Sequence, residues 1–454
     1  MKLLPVWWVS ADWRDLAPKR DHCTLKTGNF SKFLGIRLEN FPQKGEYGLL
    51  WIGKPVTQTG KALEDRMSAR VLTGAEVFLR DVPEWARDKA IGFVTNQTGL
   101  THDLKPLAQE FLKTGLNVKA LFGPEHGIRG EVADGVHVAS GLDNETGLPV
   151  FSLYGQTKKP TAEMMEGIEL FIFDIQDVGA RYYTFLWTMA GCLEAAAEAG
   201  IPFAVLDRPA VLGGHGVEGP LLDPEFSSLV GLYPVTNRFG LTMGEVARMV
   251  AATLDEGPSL LRVVRMEGWN RSLWFDECGL QWVMPSPNMP TLDTAIVYPG
   301  FCMFEGTNLS EGRGTTRPFE MIGAEWIDAT RLAGAMNELD LPGVIFRPVY
   351  FVPWFSKYKD TPCQGVQAHV RDRAEFRPVR AALELLVKLK ELYPDKFKFR
   401  EPGSTGKSFF DLLMGTDKVR KMVMDGASAE DIELSWSQDT QRFKQEREVF
   451  FLYD

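Results

Sequence analysis

The chain has 454 residues, of which 44% are hydrophobic and 24% are charged, and its formal net charge is −10. These values are ordinary for a globular protein with two or three domains. The acidic balance excludes a general nucleic-acid-binding role, which needs a basic surface for the phosphates. The sequence has no run of about 18 apolar residues, the length that spans a bilayer. We therefore expect neither a nucleic acid nor a membrane as a partner.

The cysteines and the first residues bear on the cellular compartment. Five cysteines are dispersed without CxxC spacing, which indicates neither a disulfide framework nor a structural zinc site. The opening stretch, MKLLPVWWVSADW, has a short apolar patch but no clear cleavage site for a signal peptide. We therefore expect a cytoplasmic location.

Residues 1–66 differ in character from the rest of the chain. They mix tryptophans with charged and turn residues, and neither helical nor strand periodicity is evident. We treat them as an unassigned N-terminal extension. One hypothesis is that the native protein starts at Met67.

From residue 71 onward, strand-like apolar runs alternate with helical stretches. Helical spacing follows Thr73, which is available as a helix cap. Strands are predicted at 90–95, 118–122, 150–153, 170–175, 202–206 and 261–264, and helices at 107–116, 184–199 and 242–254. Nearly continuous apolar strands that alternate with helices indicate a parallel sheet covered on both faces. We predict an α/β, Rossmann-like domain.

A proline-rich passage, WVMPSPNMP at residues 282–290, suits a hinge between domains. We therefore predict a Rossmann-like domain over 67–290 and a smaller α+β domain over 291–454, with the active-site cleft between them. The smaller domain has strand-like runs at 344–346 and 367–370 and a helix at 379–393.

The Rossmann-like pattern raises the question of a nucleotide cofactor. No GxGxxG follows the first strand, and GSTGKS at residues 403–408 lacks the first glycine of a P-loop. We predict no cofactor.

The stretch LFGPEHGIRG, residues 121–130, is the first candidate for a site. An apolar run stops at Gly-Pro and presents Glu125, His126 and Arg129. Ligands bind at the carboxyl ends of strands in open α/β sheets. By itself the loop is as consistent with a solvated surface turn as with a functional site. Two further loops with polar side chains, however, also follow predicted strands. They carry Asp174, Asp177, Arg181 and Tyr182, and then Asp207 and Arg208.

A fourth loop, residues 298–317, adds Glu305, Asn308, Glu311 and Arg313. Carboxyl groups beside arginines suit hydrolysis of a glycosidic bond, in which an acid protonates the leaving oxygen. Arginines bind a substrate carboxylate with two hydrogen bonds.

These loops allow three other interpretations. Asp174 is as readily a cap for backbone groups at its strand end as a catalytic group. A metal site would use His126, Asp134 and His137, but no compact ligand spacing such as HExxH is present. A Ser-His-Asp hydrolase is excluded because there is no GxSxG. We predict no metal.

Six motifs in order resemble the NamZ family, long called DUF1343. They are TNQTG (95–99), LFGPEHGIRG (121–130), DIQDVGARYYT (174–184), LDRP (206–209), PSPNMP (285–290) and EGTNLSEGRGTTRPFE (305–320). The resemblance covers about residues 70–454. Members of the family are exo-β-N-acetylmuramidases of peptidoglycan recycling, and the resemblance implies a Rossmann-like domain, a smaller domain and a cleft between them.

The resemblance also implies an activity and its residues. The enzyme would release terminal N-acetylmuramic acid from the non-reducing end of peptidoglycan fragments, with Glu125 as the catalytic residue. The lactyl carboxylate of muramic acid would explain the need for arginines. The residues that would bind the substrate are His126, Arg129, Asp177, Arg181, Tyr182, Asn308, Glu311 and Arg313.

The sequence leaves open the reaction mechanism, the cellular location and the class of function. As a hypothesis, Glu125 acts as general acid, and the 2-acetamido group of the substrate or a second carboxylate completes the reaction. The family implies a periplasmic or secreted location as the alternative to the cytoplasm. The alternatives in function are a non-catalytic muropeptide- or sugar-binding protein and a nucleotide-dependent transferase.

Overall fold

The computed structural model describes residues 70–454, except for residue 134, residues 137–139, residue 156 and residues 404–405. The predicted extension over residues 1–66 and the start proposed at Met67 lie outside these described residues.

The larger sheet has seven strands in the order β3-β4-β2-β1-β5-β6-β7. Neighbouring strands pair in parallel, except that β3 runs antiparallel to β4. The predicted parallel sheet is confirmed apart from β3, a two-residue edge strand that is absent from the predicted strands. The strands are β1 (Ile91–Thr95), β2 (Val118–Gly123), β3 (Gly141–Leu142), β4 (Pro149–Ser152), β5 (Leu170–Asp174), β6 (Phe203–Leu206) and β7 (Leu261–Val264).

The smaller sheet has three antiparallel strands in the order β8-β10-β9. They are β8 (Met321–Ala324), β9 (Val344–Phe351) and β10 (Cys363–Val370). The sequence predicts the last two, although shorter than they are. With its helices this sheet forms the smaller α+β part, so the predicted fold class is confirmed. The domain boundary near residue 290 stays a prediction.

The helices of the described residues range from 4 to 15 residues in length. They are α1 (Gly74–Arg80), α2 (Leu107–Lys113), α3 (Phe185–Glu198), α4 (Met243–Ala251), α5 (Gly257–Leu260), α6 (Leu292–Phe301), α7 (Ala329–Asn337), α8 (Pro378–Leu392), α9 (Phe409–Met414), α10 (Lys418–Met424), α11 (Ala429–Leu434) and α12 (Ser437–Glu446). Single 3-10 turns occur at Glu84–Ala86, Pro224–Phe226, Phe275–Cys278, Cys302–Gly306 and Arg447–Phe450. No helix in the described part of the chain combines the length and the apolar composition needed to cross a bilayer.

Helix caps in the sequence account for several of these starts. Thr73 and Thr242 each accept the amide of a glutamate three residues on, and that glutamate accepts their own amide in return. This capping box satisfies backbone donors that a helix start otherwise leaves unpaired. Helix α6 was missed because Pro299 and Gly300 look like breakers. Pro299 falls late in α6, where the helix is about to end.

Every residue of β1, β5 and β6 is buried. Phe78 of α1 and Phe111 of α2 pack with Phe93 of β1 in one core cluster. A second and larger cluster runs from β5 through α3 and α6 to α8, and a third, smaller one includes Val71 and Tyr453. Because this second core is continuous, the described residues of both sheets belong to one compact unit.

Candidate active site

The loop after β2 places Glu125 in the wall of a cavity of about 580 Å³. The Gly127 amide donates to the Pro124 carbonyl at 3.0 Å and closes a turn directly after the strand. His126 and Gly127 have φ angles of 71° and 80°, and a left-handed conformation is uncommon for a non-glycine residue. The turn therefore holds Glu125 at the carboxyl end of a parallel strand, where sheets of this kind bind ligands.

Two hydrogen-bond donors hold the Glu125 carboxylate. The Thr184 hydroxyl donates to Oε2 at 2.8 Å, and the Gly135 amide donates to Oε1 at 3.2 Å. Tyr154, which follows β4, also lines the cavity. Burial, together with the neighbouring Glu125 carboxylate, raises the pKa of the Tyr154 hydroxyl. Glu125 is thus oriented by residues from three separate parts of the chain.

His126 lies buried beside Glu125 in the same wall. Its Nδ1 is 2.8 Å from the Val132 carbonyl oxygen, and because a carbonyl only accepts, Nδ1 carries the hydrogen. Burial lowers the pKa of the imidazole, against the opposing effect of Glu125. The neutral ring packs edge-on to Phe185 with centroids 6.4 Å apart.

The smaller part of the protein contributes four charged residues that we call the Arg313 cluster: Glu305, Glu311, Arg313 and Lys357. Arg313 Nη2 lies 2.8 Å from Glu305 Oε1, and Arg313 Nε lies 3.4 Å from Glu311 Oε1. Lys357 Nζ lies 2.7 Å from Glu311 Oε2. Glu305 and Arg313 line the cavity itself. The loop that carries Glu305 and Arg313 therefore faces the same space as Glu125.

Burial changes the protonation of this cluster. It raises the pKa of Glu305 to about 8, and the Glu311 carboxylate adds to the effect while Lys357 opposes it. Burial also lowers the pKa of Arg313 to about 10, so the guanidinium stays charged near neutral pH. Below about pH 8 Glu305 is therefore protonated and does not neutralise the charge of Arg313. An anionic ligand can then bind beside Arg313.

Aromatic rings form much of the remaining wall. Tyr298 packs edge-on against Tyr182, Tyr183 and Phe319, with centroid distances of 5.4, 5.8 and 4.7 Å. The Tyr182 hydroxyl donates to the Pro299 carbonyl. Aromatic rings combine a large apolar surface with a polar tip, which suits a ligand that has apolar ring faces and hydroxyl groups.

The structure brings five of the nine predicted site residues together. Glu125, His126, Tyr182 and Arg313 line the cavity, and Glu311 contacts Arg313.

Two of the predicted arginines lie elsewhere. Arg129 is half-exposed, forms an ion pair of 2.6 Å with Asp143 and lines a separate pocket of about 130 Å³. Arg181 is fully buried and donates to the carbonyls of Pro220, Val235 and Leu413. Arg181 is therefore a packing residue in this geometry and does not reach the cavity.

Asp177 and Asn308 also lie outside the lining of the cavity. Asp177 is buried and accepts the Gly179 amide at 2.6 Å, and burial raises its pKa to about 7. The Asn308 side chain donates to the Lys396 carbonyl at 2.8 Å and accepts the Lys398 amide at 2.9 Å. Both side chains hold loop backbone in place.

Sequence reasoning did not select several residues of the cavity. Glu305 was noted in its loop but not chosen as a site residue, because burial by distant segments is not visible in the sequence. Thr184 stands inside the DIQDVGARYYT motif, and Tyr154 follows a strand that ends at the same edge of the sheet as β2. Its position just after a predicted parallel strand is the sequence feature that indicates Tyr154 as a site residue.

The metal alternative depended on Asp134 and His137, which lie outside the described residues. It is not tested by this geometry.

Comparison with protein families gives two adjoining matches. The model described as exo-β-N-acetylmuramidase NamZ, N-terminal, matches residues 91–293. The corresponding C-terminal model matches residues 296–453. A curated relative, the peptidoglycan β-N-acetylmuramidase NamZ of Bacillus subtilis (strain 168), is 45% identical over 385 residues, which is 85% of this chain and 92% of the relative.

Solved structures of two DUF1343 family proteins from Bacteroides fragilis NCTC 9343 are similar to this chain. One has a TM-score of 0.78 and 35% identity and covers 85% of this chain and 100% of its own. The other has a TM-score of 0.65 and 31% identity and covers 85% of this chain and 99% of its own.

Proposed function

The chain belongs to the NamZ family of exo-β-N-acetylmuramidases, and we propose that the cavity beside Glu125 is where it cleaves terminal N-acetylmuramic acid from peptidoglycan fragments. The protein is a glycosidase, as the six sequence motifs predicted. The observation that carries the assignment of the site is the Glu125 carboxylate, which Thr184 orients in the same cavity as Arg313.

Arg313 is assigned to the lactyl carboxylate of the substrate. Among the described residues that line the cavity, it is the one with a cationic side chain at neutral pH. Arg129 and Arg181 were the other candidates, and their positions do not favour that role. A guanidinium binds a carboxylate with two hydrogen bonds, so Arg313 would fix the orientation of the muramic acid ring.

Glu125 is assigned to proton transfer. It protonates the glycosidic oxygen as the bond between that oxygen and the anomeric carbon breaks. The resulting carboxylate then takes a proton from the water that attacks the anomeric carbon. Thr184 and the Gly135 amide keep the group in one orientation for both steps.

The group that stabilises the cationic centre is assigned to the substrate itself. Among the described lining residues the other carboxyl group is Glu305, which is engaged by Arg313 at 2.8 Å. Glu305 is therefore poorly placed to attack. We assign this step to the 2-acetamido oxygen of the substrate, which forms a bond to the anomeric carbon that the attacking water later breaks. Substrate-assisted hydrolysis of this kind is known among glycosidases.

A chromogenic β-N-acetylmuraminide tests the function directly. The wild-type protein should release the dye, and N-acetylmuramic acid should inhibit the release. A non-catalytic sugar-binding protein would bind N-acetylmuramic acid without releasing dye. A nucleotide-dependent transferase would instead be stabilised against heat by nucleotides.

The physiological substrates are proposed to be peptidoglycan-derived saccharides or muropeptides, cleaved from the non-reducing end. The cellular compartment stays a prediction, cytoplasmic from the sequence and periplasmic or secreted from the family.

A further inference from the structure

An open groove of about 680 Å³ lies along the edge of the smaller sheet. It is formed by the loop over residues 314–317 and by β9 with the residues that follow it. β9 is an edge strand, because the order of the smaller sheet is β8-β10-β9. The groove has not been given a role by the proposed function.

The groove adjoins the cavity at two pairs of residues that are neighbours in the sequence. Arg313 lines the cavity and Gly314 lines the groove, while Phe355 lines the cavity and Trp354 lines the groove. The Trp354 amide donates to the Gly314 carbonyl at 2.9 Å, and the rings of Trp354 and Phe355 lie 4.6 Å apart. One hydrogen-bonded crossing of two loops therefore separates the cavity from the groove.

The side chains that line the groove suit a polar, extended ligand with flat apolar faces. Trp354 and Tyr350 are exposed to 69% and 66%, which is unusual for such large aromatic residues. Arg317 and Arg347 are the charged residues of the lining, and no described lining residue is acidic although the chain carries a net charge of −10. Such a surface favours neutral and anionic groups.

Arg347 is available to an anion. Its guanidinium donates to the Gln367 side chain at 2.6 Å and to His369 at 3.4 Å, and it forms no ion pair with any residue that the structure describes. Arg317 by contrast lies 3.3 Å from Glu320. An anion in the groove would therefore meet Arg347 without displacing a carboxylate.

We propose that the groove binds the glycan chain on the leaving-group side of the scissile bond, with sugar rings against Trp354 and Tyr350 and a muramic acid carboxylate at Arg347. This rests on the proposed function, because an exo-acting enzyme encloses one terminal sugar and must leave the rest of the chain an exit. The groove begins at the residue next to Arg313, so a chain that leaves the cavity beside Arg313 has only the hydrogen-bonded crossing at Gly314 and Trp354 to pass before it reaches the groove. A glycan is favoured over a stem peptide because the two largest exposed surfaces are aromatic rings.

Substrate length tests the proposal. Steady-state rates of the full-length protein are measured on a chromogenic muraminide, which has no sugar on the leaving side, and on peptide-free disaccharide and tetrasaccharide fragments with muramic acid at the non-reducing end. Wild-type kcat/KM should rise from disaccharide to tetrasaccharide. Trp354→Ala should lower kcat/KM on the tetrasaccharide about ten-fold, the scale for loss of one aromatic anchor, and leave the chromogenic substrate unchanged.

Tyr350→Ala and Arg347→Met are two further variants at the same surface. Both should lower kcat/KM on the tetrasaccharide and leave kcat/KM on the chromogenic substrate unchanged. The matched control is Leu434→Ala, a similarly exposed apolar residue of α11 outside the groove, which should change kcat/KM on neither the chromogenic substrate nor the tetrasaccharide. Melting temperatures of all variants report on folding.

Three outcomes overturn the proposal. The first is an absence of length preference in the wild type, and the second is an equal loss on the chromogenic substrate and the tetrasaccharide in Trp354→Ala. The third is seen with the same tetrasaccharide carrying its stem peptides, measured in parallel: a loss confined to that peptide-bearing substrate would assign the groove to the stem peptide. Failure of the proposed function is distinguishable, since the wild-type protein would then release no dye from the chromogenic muraminide.

Discussion

The Thr184 hydroxyl donates a hydrogen bond of 2.8 Å to the Glu125 carboxylate. These two residues come from different strand ends of the larger sheet: Glu125 follows β2, and Thr184 directly precedes α3 after β5. The contact forms because β2 and β5 both pair with β1 in parallel, which brings their carboxyl ends to one edge. The sheet topology therefore places Thr184 where it can orient the Glu125 carboxylate.

Replacement of Glu125 tests its proposed chemistry. Glu125→Gln keeps the shape and can still accept from Thr184, but it cannot transfer the proton. We expect kcat to fall by about 10²–10⁴, the usual contribution of general acid-base catalysis, with little change in the affinity for N-acetylmuramic acid. The measurement is steady-state kinetics on the chromogenic muraminide with calorimetric binding of the free sugar.

Thr184→Val is the companion variant, because it removes the hydrogen bond and keeps the volume. It should lower kcat by only about ten-fold, since one hydrogen bond from a hydroxyl to a carboxylate contributes free energy on the order of 1.5 kcal/mol. Near-normal turnover in Glu125→Gln would refute the assignment.

Replacement of Arg313 tests recognition of the lactyl carboxylate. Arg313→Met removes a charge-assisted pair of hydrogen bonds, so we expect KM for the muraminide to rise by about 10–100-fold. The affinity for N-acetylglucosamine, which lacks the lactyl group, should change little. Competition binding with the two sugars gives the comparison.

The control for this variant is Arg129→Met. Arg129 pairs with Asp143 at a separate pocket, so its loss should leave KM unchanged. An equal rise of KM in both variants would remove the distinction that the structure makes between these arginines.

The sequence predicted the larger sheet well because its strands are buried on both faces. A run such as LFIFD in β5 has no polar alternation, which is typical of a strand covered by helices on both sides. β8 was missed for the opposite reason. It has only four residues, MIGA, between a functional loop and a turn, and it is defined by pairing with β10 far along the chain.

The sequence predicted the motifs that form the candidate site, but it predicted only some of the residues that line the cavity. Chemical type could not separate Arg313 from Arg181, because both are arginines in a motif of the family. Three backbone carbonyls from residues 220, 235 and 413 enclose Arg181, and that set is assembled only by the fold. Position in the fold is likewise what distinguishes Glu305, which lines the cavity, from Glu311, which lies behind Arg313 outside the lining.

The pH dependence of binding follows from Glu305. Its pKa is raised to about 8, mainly by burial, so it is protonated below that pH and ionised above it. An ionised Glu305 competes with the substrate carboxylate for Arg313. The affinity for N-acetylmuramic acid should therefore be constant between about pH 6 and 7 and decrease as the pH rises through about 8.

Glu305→Gln should abolish that decrease, because the amide cannot ionise. Inhibition constants measured from pH 6 to 9.5 for both proteins, with N-acetylglucosamine as the sugar without a carboxylate, provide the data. A decrease above pH 8 that persists in Glu305→Gln would assign the titration to another group.

Arg181 gives the last prediction, which separates a packing role from a binding role. Arg181→Met retains most of the volume but leaves the Pro220 carbonyl without this donor, while the other two carbonyls each keep a second donor. An unpaired buried carbonyl costs about 1–3 kcal/mol, and relief from burying a charge offsets part of this, since burial lowers the Arg181 pKa to about 10. We expect a net loss of about 2 kcal/mol. The melting temperature should fall by a few degrees, while KM of the protein that remains folded should equal the wild-type value. A raised KM at an unchanged melting temperature would instead place Arg181 in contact with the substrate and would contradict the geometry described for it.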